Sequence, residues 1–200
     1  MPAGATNQTP QMGDASSATQ QIWAPDRRLA VQITDAAKSF GDVMGVQGVS
    51  ISVPQSAIVG IIGPSGAGKT TTIRLITGSL APDRGDVRVL GENPRHFRRR
   101  TREQIGYMPQ GFVLYPDLTA RENVSFMASL FGMPPWRRSR RVNDTLKLVD
   151  LWDARDRRAS AMSGGMQRRL ELACALVHAP SLLILDEPTA GIDPLLRTRI

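Results

Sequence analysis

The chain has a single cysteine, Cys174, among its 200 residues. One thiol can form no intrachain disulfide and no cysteine-based metal site. Its surroundings read ELACALV, an apolar helical stretch, which marks a buried structural thiol. Lysine is nearly as scarce, with only Lys38, Lys69 and Lys147. Histidine occurs twice, at His96 and His178, and aromatic residues make up 5%. Few aromatics are interleaved with its basic residues, which weakens a reading as a single-strand nucleic-acid binder that stacks bases. The longest apolar runs, such as AIVGIIG and SLLILD, are too short to cross a bilayer. The opening MPAGATNQTPQMGDASSATQ holds no apolar core of the signal-peptide kind. A cytosolic chain is expected, held at any membrane by another component.

Hydrophobic residues make up 41%, enough for a sizeable core. The net charge is +7, and arginine supplies nearly all the basic side chains. The arginines cluster in RHFRRRTR (95–102), WRRSRR (136–141) and ARDRR (154–158). Such runs read first as solvated faces, with nucleic acid or an acidic membrane surface as alternatives. Nucleic acid is not the expected partner.

Residues 1–26 are rich in Ala, Gly, Ser, Thr and Gln without a period, and a disordered tail is expected there. The rest, 27–200, reads as one domain. Strand-like stretches are LAVQIT (29–34), VSISV (49–53), AIVGII (57–62), DVRVL (86–90), IGYM (105–108) and LLILD (182–186). Helix-like stretches are 69–79, 119–131, 139–150 and 164–178. Thr119 followed by Glu122 has the spacing of a capping box. Strands alternating with helices predict an α/β fold with a parallel core. The span from about 112 to 165 is mainly helical and fits an inserted helical subdomain.

The first chemical signal is GPSGAGKT, residues 63–70, between the strand-like AIVGII and a helical stretch. That is the context a phosphate-binding loop requires. Gly63, Gly66 and Gly68 allow the tight turn that points amide N–H groups inward. Ser65 and Ala67 complete the loop, and Thr71 follows it on the helix. The helix N-terminus adds positive potential. Lys69 can reach the β- and γ-phosphates, and Thr70 offers a hydroxyl to Mg²⁺.

The second signal is SLLILDEP (181–188), an apolar strand ending in Asp186 and Glu187. Alternation points adjacent side chains in different directions. Asp186 is assigned to the metal and Glu187 to general base work on a water. The third is MSGGMQRRL (162–170), where Ser163, Gly164 and Gly165 open a helix and make another anion site. One triphosphate does not need two such sites on one chain. A symmetric dimer would let each phosphate loop face the partner's SGG helix.

From about residue 29 onward the sequence resembles the nucleotide-binding domain of an ATP-binding cassette (ABC) transporter. The resemblance rests on an ordered set: GPSGAGKT, MPQ, MSGGM, LLILDEP and GID. It implies a P-loop NTPase with a parallel core sheet, an antiparallel β subdomain and the helical subdomain. It implies ATP and Mg²⁺ as cofactors, a dimer or pseudo-dimer of such domains, and a separate transmembrane permease subunit. The chain would sit on the inner face of the membrane through that permease. Phe40 would stack on adenine, and Val46 would flank the same ring. Gln110 would sense Mg²⁺ and the attacking water. Ser163, Gly164 and Gly165 would contact the γ-phosphate of the opposing subunit, and Asp193 would line the dimer interface. Met162 and Met166 replace the signature's usual Leu and Gln but leave Ser163 in place. The stretch from GMQRRL to GIDP resembles bacterial exporter ATPases, including drug and polysaccharide exporters, more than nutrient importers. The alternatives are a soluble ABC-type ATPase acting on nucleic acid or ribosomes, and a truncated nucleotide-binding module without hydrolysis.

Family members continue past the GID motif into a strand that ends in a switch histidine. Neither His96 nor His178 matches that position. LLRTRI reads as the first turns of a helix after Pro194, so the natural chain is expected to continue, with the C-terminal part of the core absent here. In the family's order that strand lies between the strands before GPSGAGKT and before Asp186. Its absence opens a gap of about 10 Å with unpaired backbone on both sides. Unpaired buried amides cost about 1–3 kcal/mol each. Residues 1–200 alone are expected to hydrolyse ATP weakly or not at all.

Overall fold

The computed structural model describes residues 28–111 and 113–188. The expectations for 1–26, for Asp193 and for the helix after Pro194 lie outside the described residues.

Strand β1 (Leu29–Phe40) pairs antiparallel with β2 (Val43–Pro54), and β3 (Arg84–Val89) adds to the other side of β1. The hairpin runs past the strand-like stretches in the sequence, up to the turn at Gly41 and Asp42. Polar residues such as Asp35, Lys38 and Ser39 hide this extension, because register shifts between Ile33 and Ser39 interrupt the two-residue alternation. Asp83 stabilises the continuation: it accepts from Lys38 Nζ at 2.6 Å and from the Ser39 N–H at 2.8 Å. One face of this sheet buries Val31, Ile33, Val87 and Val89 against Ile73, Leu75 and Ile76 of α1 (Lys69–Ile76).

A second sheet pairs β4 (Ile105–Met108) with β5 (Leu182–Leu185) in parallel, Ile105 opposite Leu182 and Met108 opposite Leu185. The architecture is thus α/β, with a parallel pair and an antiparallel sheet. The expected strand at 57–62 does not form. No strand pairs with it among the described residues, and Ile58 and Ile62 are 102% and 97% exposed. An apolar β-rich sequence becomes a strand only when neighbours take its N–H and C=O groups. A short helix that the sequence reading did not assign, α2 (Arg99–Arg102), stands before β4.

The remaining helices are α3 (Ala120–Leu130), α4 (Pro135–Leu148) and α5 (Gly164–Leu176). The capping box forms at the start of α3. Thr119 Oγ1 accepts from the Glu122 N–H at 3.2 Å, and Glu122 Oε2 accepts from the Thr119 N–H at 2.8 Å. Thr119→Ala removes the hydroxyl half of that exchange and is expected to cost about 1 kcal/mol in urea unfolding. Helix α4 begins at Pro135, earlier than the expected 139, because proline suits the first helical position.

Val124, Ala128, Val142, Leu146, Leu170, Ala173 and Val177 close the interior between these three helices. Arg141 reaches across from α4, donating from Nε to the Val177 carbonyl at 2.9 Å and so capping the end of α5. Arg138 donates to the Met133 carbonyl at 2.9 Å. The 136–141 cluster is therefore not wholly a solvated face. Cys174 is buried, and burial, with the Glu171 carboxylate adding to it, pushes its thiol up to about 12. Native protein at pH 8 should resist iodoacetamide, and one equivalent should react after denaturation. Fast labelling of the folded protein would contradict this burial. No helix among the described residues is long and apolar enough to cross a membrane.

Candidate functional site

The loop 63–68 ends where α1 begins. Gly68 has φ 82°, the left-handed region, and it also sits in a tight contact. A Cβ there would lie 2.5 Å from both the Gly45 carbonyl oxygen and Val46 Cγ1. Only glycine meets both demands. Gly45 is confined in turn, since a Cβ on it would lie 2.7 Å from Phe40 Cε2. The β1–β2 hairpin thus places Phe40 and Val46 beside the loop. Phe40 is 43% exposed at the hairpin end, while Val46 is 5% exposed and packs inward.

Lys69 Nζ donates to the carbonyls of Gly63 and Pro64, each at 2.8 Å, which folds the lysine back over its own loop. Thr72 Oγ1 donates to the Gly68 carbonyl at 3.0 Å and fixes the first helical turn. Ser65, Gly66 and Ala67 are exposed; Gly63, Thr70 and Thr71 are half-buried. The first N–H groups of α1 have no intrahelical acceptor, so this end of the helix favours an anion.

Asp186 follows β5 and is 3% exposed; its N–H donates to the Met108 carbonyl at 2.9 Å. Burial, and then the charge of Glu187, holds the Asp186 carboxyl above the ordinary carboxylate value. The cations of Arg74, Arg168 and Lys69 pull it the other way, so the fold brings the loop lysine into electrostatic reach of the strand end. Glu187 is exposed and has φ 49°, an unusual backbone for a non-glycine residue. Gln110, just after β4, donates from Nε2 to Glu187 Oε2 at 2.8 Å.

Ser163 caps α5, its Oγ accepting from the Met166 N–H at 3.3 Å. Gly164 and Gly165 form the first turn. Among the described residues no hydrogen bond joins 163–165 to the loop 63–71. Sequence reasoning missed the residues that tie α5 to the strand ends. Arg168, 2% exposed, pairs with Glu171 at 2.8 Å and donates to the backbone carbonyls of both Gln110 and Glu187. The available signal was an opposite-charge pair at i,i+3 inside an apolar helical stretch.

Residues 46–190 match the ABC transporter family. The chain belongs to that family. Its relatives among ABC proteins include the Nod factor export ATP-binding protein I of Sinorhizobium fredii, 39% identical over 179 residues, or 90% of this chain and 52% of that protein. The same-named protein of Paraburkholderia xenovorans is 42% identical over 165 residues, covering 82% and 54%. The linearmycin resistance ATP-binding protein LnrL of Bacillus subtilis is 38% identical, covering 85% and 55%. This ABC chain spans about half the length of the curated relatives it matches. A solved ATP-binding subunit of an ABC transporter superposes with a TM-score of 0.73 at 30% identity, covering 84% of this chain and 70% of that one. The cbiO1 protein of Clostridium perfringens, part of the ABC transporter complex cbiONQ, superposes at 0.74 with 27% identity, covering 84% and 68%. The fold is that of an ABC-type P-loop NTPase.

Proposed function

We propose that this chain is the ATP-binding subunit of an ABC exporter, coupling ATP binding and hydrolysis to translocation through a separate transmembrane permease. The observation that carries this reading is the meeting of Gln110 with Glu187 beside the buried Asp186, within the field of Lys69. The names of the exporter relatives support the direction of transport. The helices α3 and α4 would belong to the helical subdomain at about 112–165, and the chain would sit on the inner face of the membrane through the permease.

In this reading Phe40 stacks on adenine from the hairpin end. Val46, turned inward, flanks that ring only at its edge and serves mainly to seat Gly68. The loop amides from Gly63 to Thr71 and Lys69 bind the phosphates, with Lys69 exchanging a carbonyl partner for phosphate oxygens. No cluster of three or more His, Cys, Asp or Glu stands together among the described residues, so these residues offer no complete metal cage. One carboxylate and one hydroxyl suit Mg²⁺, which takes its other ligands from phosphates and water. Asp186, Thr70 and Gln110 would hold the ion, which would neutralise charge on the β- and γ-phosphate oxygens. A cation there would also offset the cost of ionising the buried Asp186. Glu187 takes the proton of the attacking water, and Gln110 orients that water. Ser163, Gly164 and Gly165 meet the γ-phosphate held by a second domain in a dimer, with Asp193 at the interface.

Binding is tested by titrating a fluorescent ATP analogue with Mg²⁺; micromolar binding that is lost in Lys69→Ala supports the reading. Residues 1–200 alone should release phosphate weakly or not at all, because 57–62 has no strand partner among the described residues. Robust turnover by that chain would refute this last expectation. Salt-dependent binding of RNA or DNA would instead favour a soluble ATPase working on nucleic acid.

A further inference from the structure

The guanidinium of Arg168 gathers three separate stretches of chain. Its Nη2 donates to the carbonyls of Asp186 and Glu187, at 2.9 and 2.8 Å. Its Nη1 donates to the Pro109 carbonyl at 2.9 Å, to that of Gln110 at 3.4 Å, and to Glu171 Oε2 at 2.8 Å. Its Nε donates to the Pro188 carbonyl at 3.3 Å. The other oxygen of Glu171, Oε1, accepts from the Val113 N–H at 2.9 Å. The pair therefore holds the segment after β4 at both ends, at Pro109 and at Val113. It holds the segment after β5 at three consecutive carbonyls.

These contacts bear on the candidate site in a specific way. Gln110 and Glu187 touch through flexible, exposed side chains, but their backbones share one buried anchor. That anchor lies on the helix that Ser163 caps, five residues on, or about 7.5 Å along the axis. A helix moves as a rod over that distance. A shift of its N-terminus must shift the guanidinium, and with it both backbones.

We propose that Arg168 is a positioning residue: paired with Glu171, it sets the spacing of Gln110 and Glu187 and transmits movement of the Ser163–Gly165 end of α5 to them. This rests on the proposed ATPase reading for its consequence, though the clamp itself can be read without any nucleotide. The planar fork of arginine is what the role requires. Lysine offers a point charge that can keep Glu171 but cannot span carbonyls on two strand ends.

The test compares wild type, Arg168→Lys and the double variant R168M/E171M, using protein purified from its native source. Replacing a buried ion pair by apolar residues of similar size is often tolerated, so the double variant keeps the test open if the lysine variant fails to fold. Amide hydrogen exchange is read over 110–113 and at 186 and 187, together with melting temperature, Kd for the fluorescent ATP analogue, and turnover. A folded variant should exchange at least tenfold faster in both segments. Its Kd should stay within threefold, and kcat should fall at least tenfold. Wild-type exchange in both segments would overturn the clamp. Faster exchange with unchanged kcat, or a rise in Kd and a fall in kcat alongside a lower melting temperature, would overturn the positioning role and leave a purely structural pair. If wild type neither binds nor hydrolyses ATP, the ATPase reading fails and the positioning role falls with it, while exchange still decides the clamp.

Discussion

Glu187→Gln should lower ATP turnover by about 10²- to 10⁴-fold, the usual range for a lost general base. The substitution changes little else. Glutamine has nearly the same shape, and its amide oxygen can still accept from Gln110 Nε2, now 2.8 Å from the carboxylate. It cannot take a proton from water. Glu187 is exposed, so the change leaves no buried charge unpaired. Its backbone at φ 49° suits neither residue better. Affinity for Mg²⁺–ATP should stay within about threefold, because a base that acts on water contributes to the transition state rather than to binding. The measurement is steady-state phosphate release, with Kd taken separately by fluorescence, on protein from its native source. Retention of more than a tenth of the turnover would place the base elsewhere. Loss of binding together with turnover would make Glu187 a binding residue instead.

The parts of this molecule that could be read in its sequence are those set by local chemistry. The glycines of 63–68 declare a tight turn, and Lys69 and Thr70 follow at a spacing that few other functions require. Thr119 and Glu122 form their capping box because both partners lie within one helical turn. Asp186 and Glu187 stand at the end of an apolar run, and β5 does end there. The failures share a different cause. Residues 57–62 look like a strand, but a strand is made by its neighbours, and the described residues supply none. The hairpin between 35 and 49 was invisible because bulges break the alternation on which strand reading depends. Arg168 and Glu171 carry no motif of their own in the sequence. Only the folded backbone, by turning five carbonyls toward one point, makes that arginine an interior residue.

Arg168→Ala should cost about 3–5 kcal/mol of stability, the range for removing one partner of a buried ion pair. The side chains of Arg168 and Glu171 are 2% and 1% exposed, so truncating the arginine leaves a carboxylate with no cation and no water. The carbonyls of Pro109, Asp186 and Glu187 lose their donor at the same time. Against a net stability of about 5–15 kcal/mol, that is a large fraction of the whole. For a chain of this size it corresponds to a fall in melting temperature of roughly 6–20 °C. The sign of the effect separates two explanations. If the pair stabilises the fold by its own attraction, R168M/E171M should be about as weak as Arg168→Ala. If the cost comes from the abandoned carboxylate, the double variant should recover most of the loss, since neither charge then has to leave water. The second outcome is expected, because desolvating two ions consumes most of what their attraction returns. The released Val113 N–H can turn to solvent, as that residue is 59% exposed. A melting curve for Arg168→Ala that matches wild type would mean that water reaches the pair in solution. The stability of the pair would then say nothing about how tightly it holds the two strand ends.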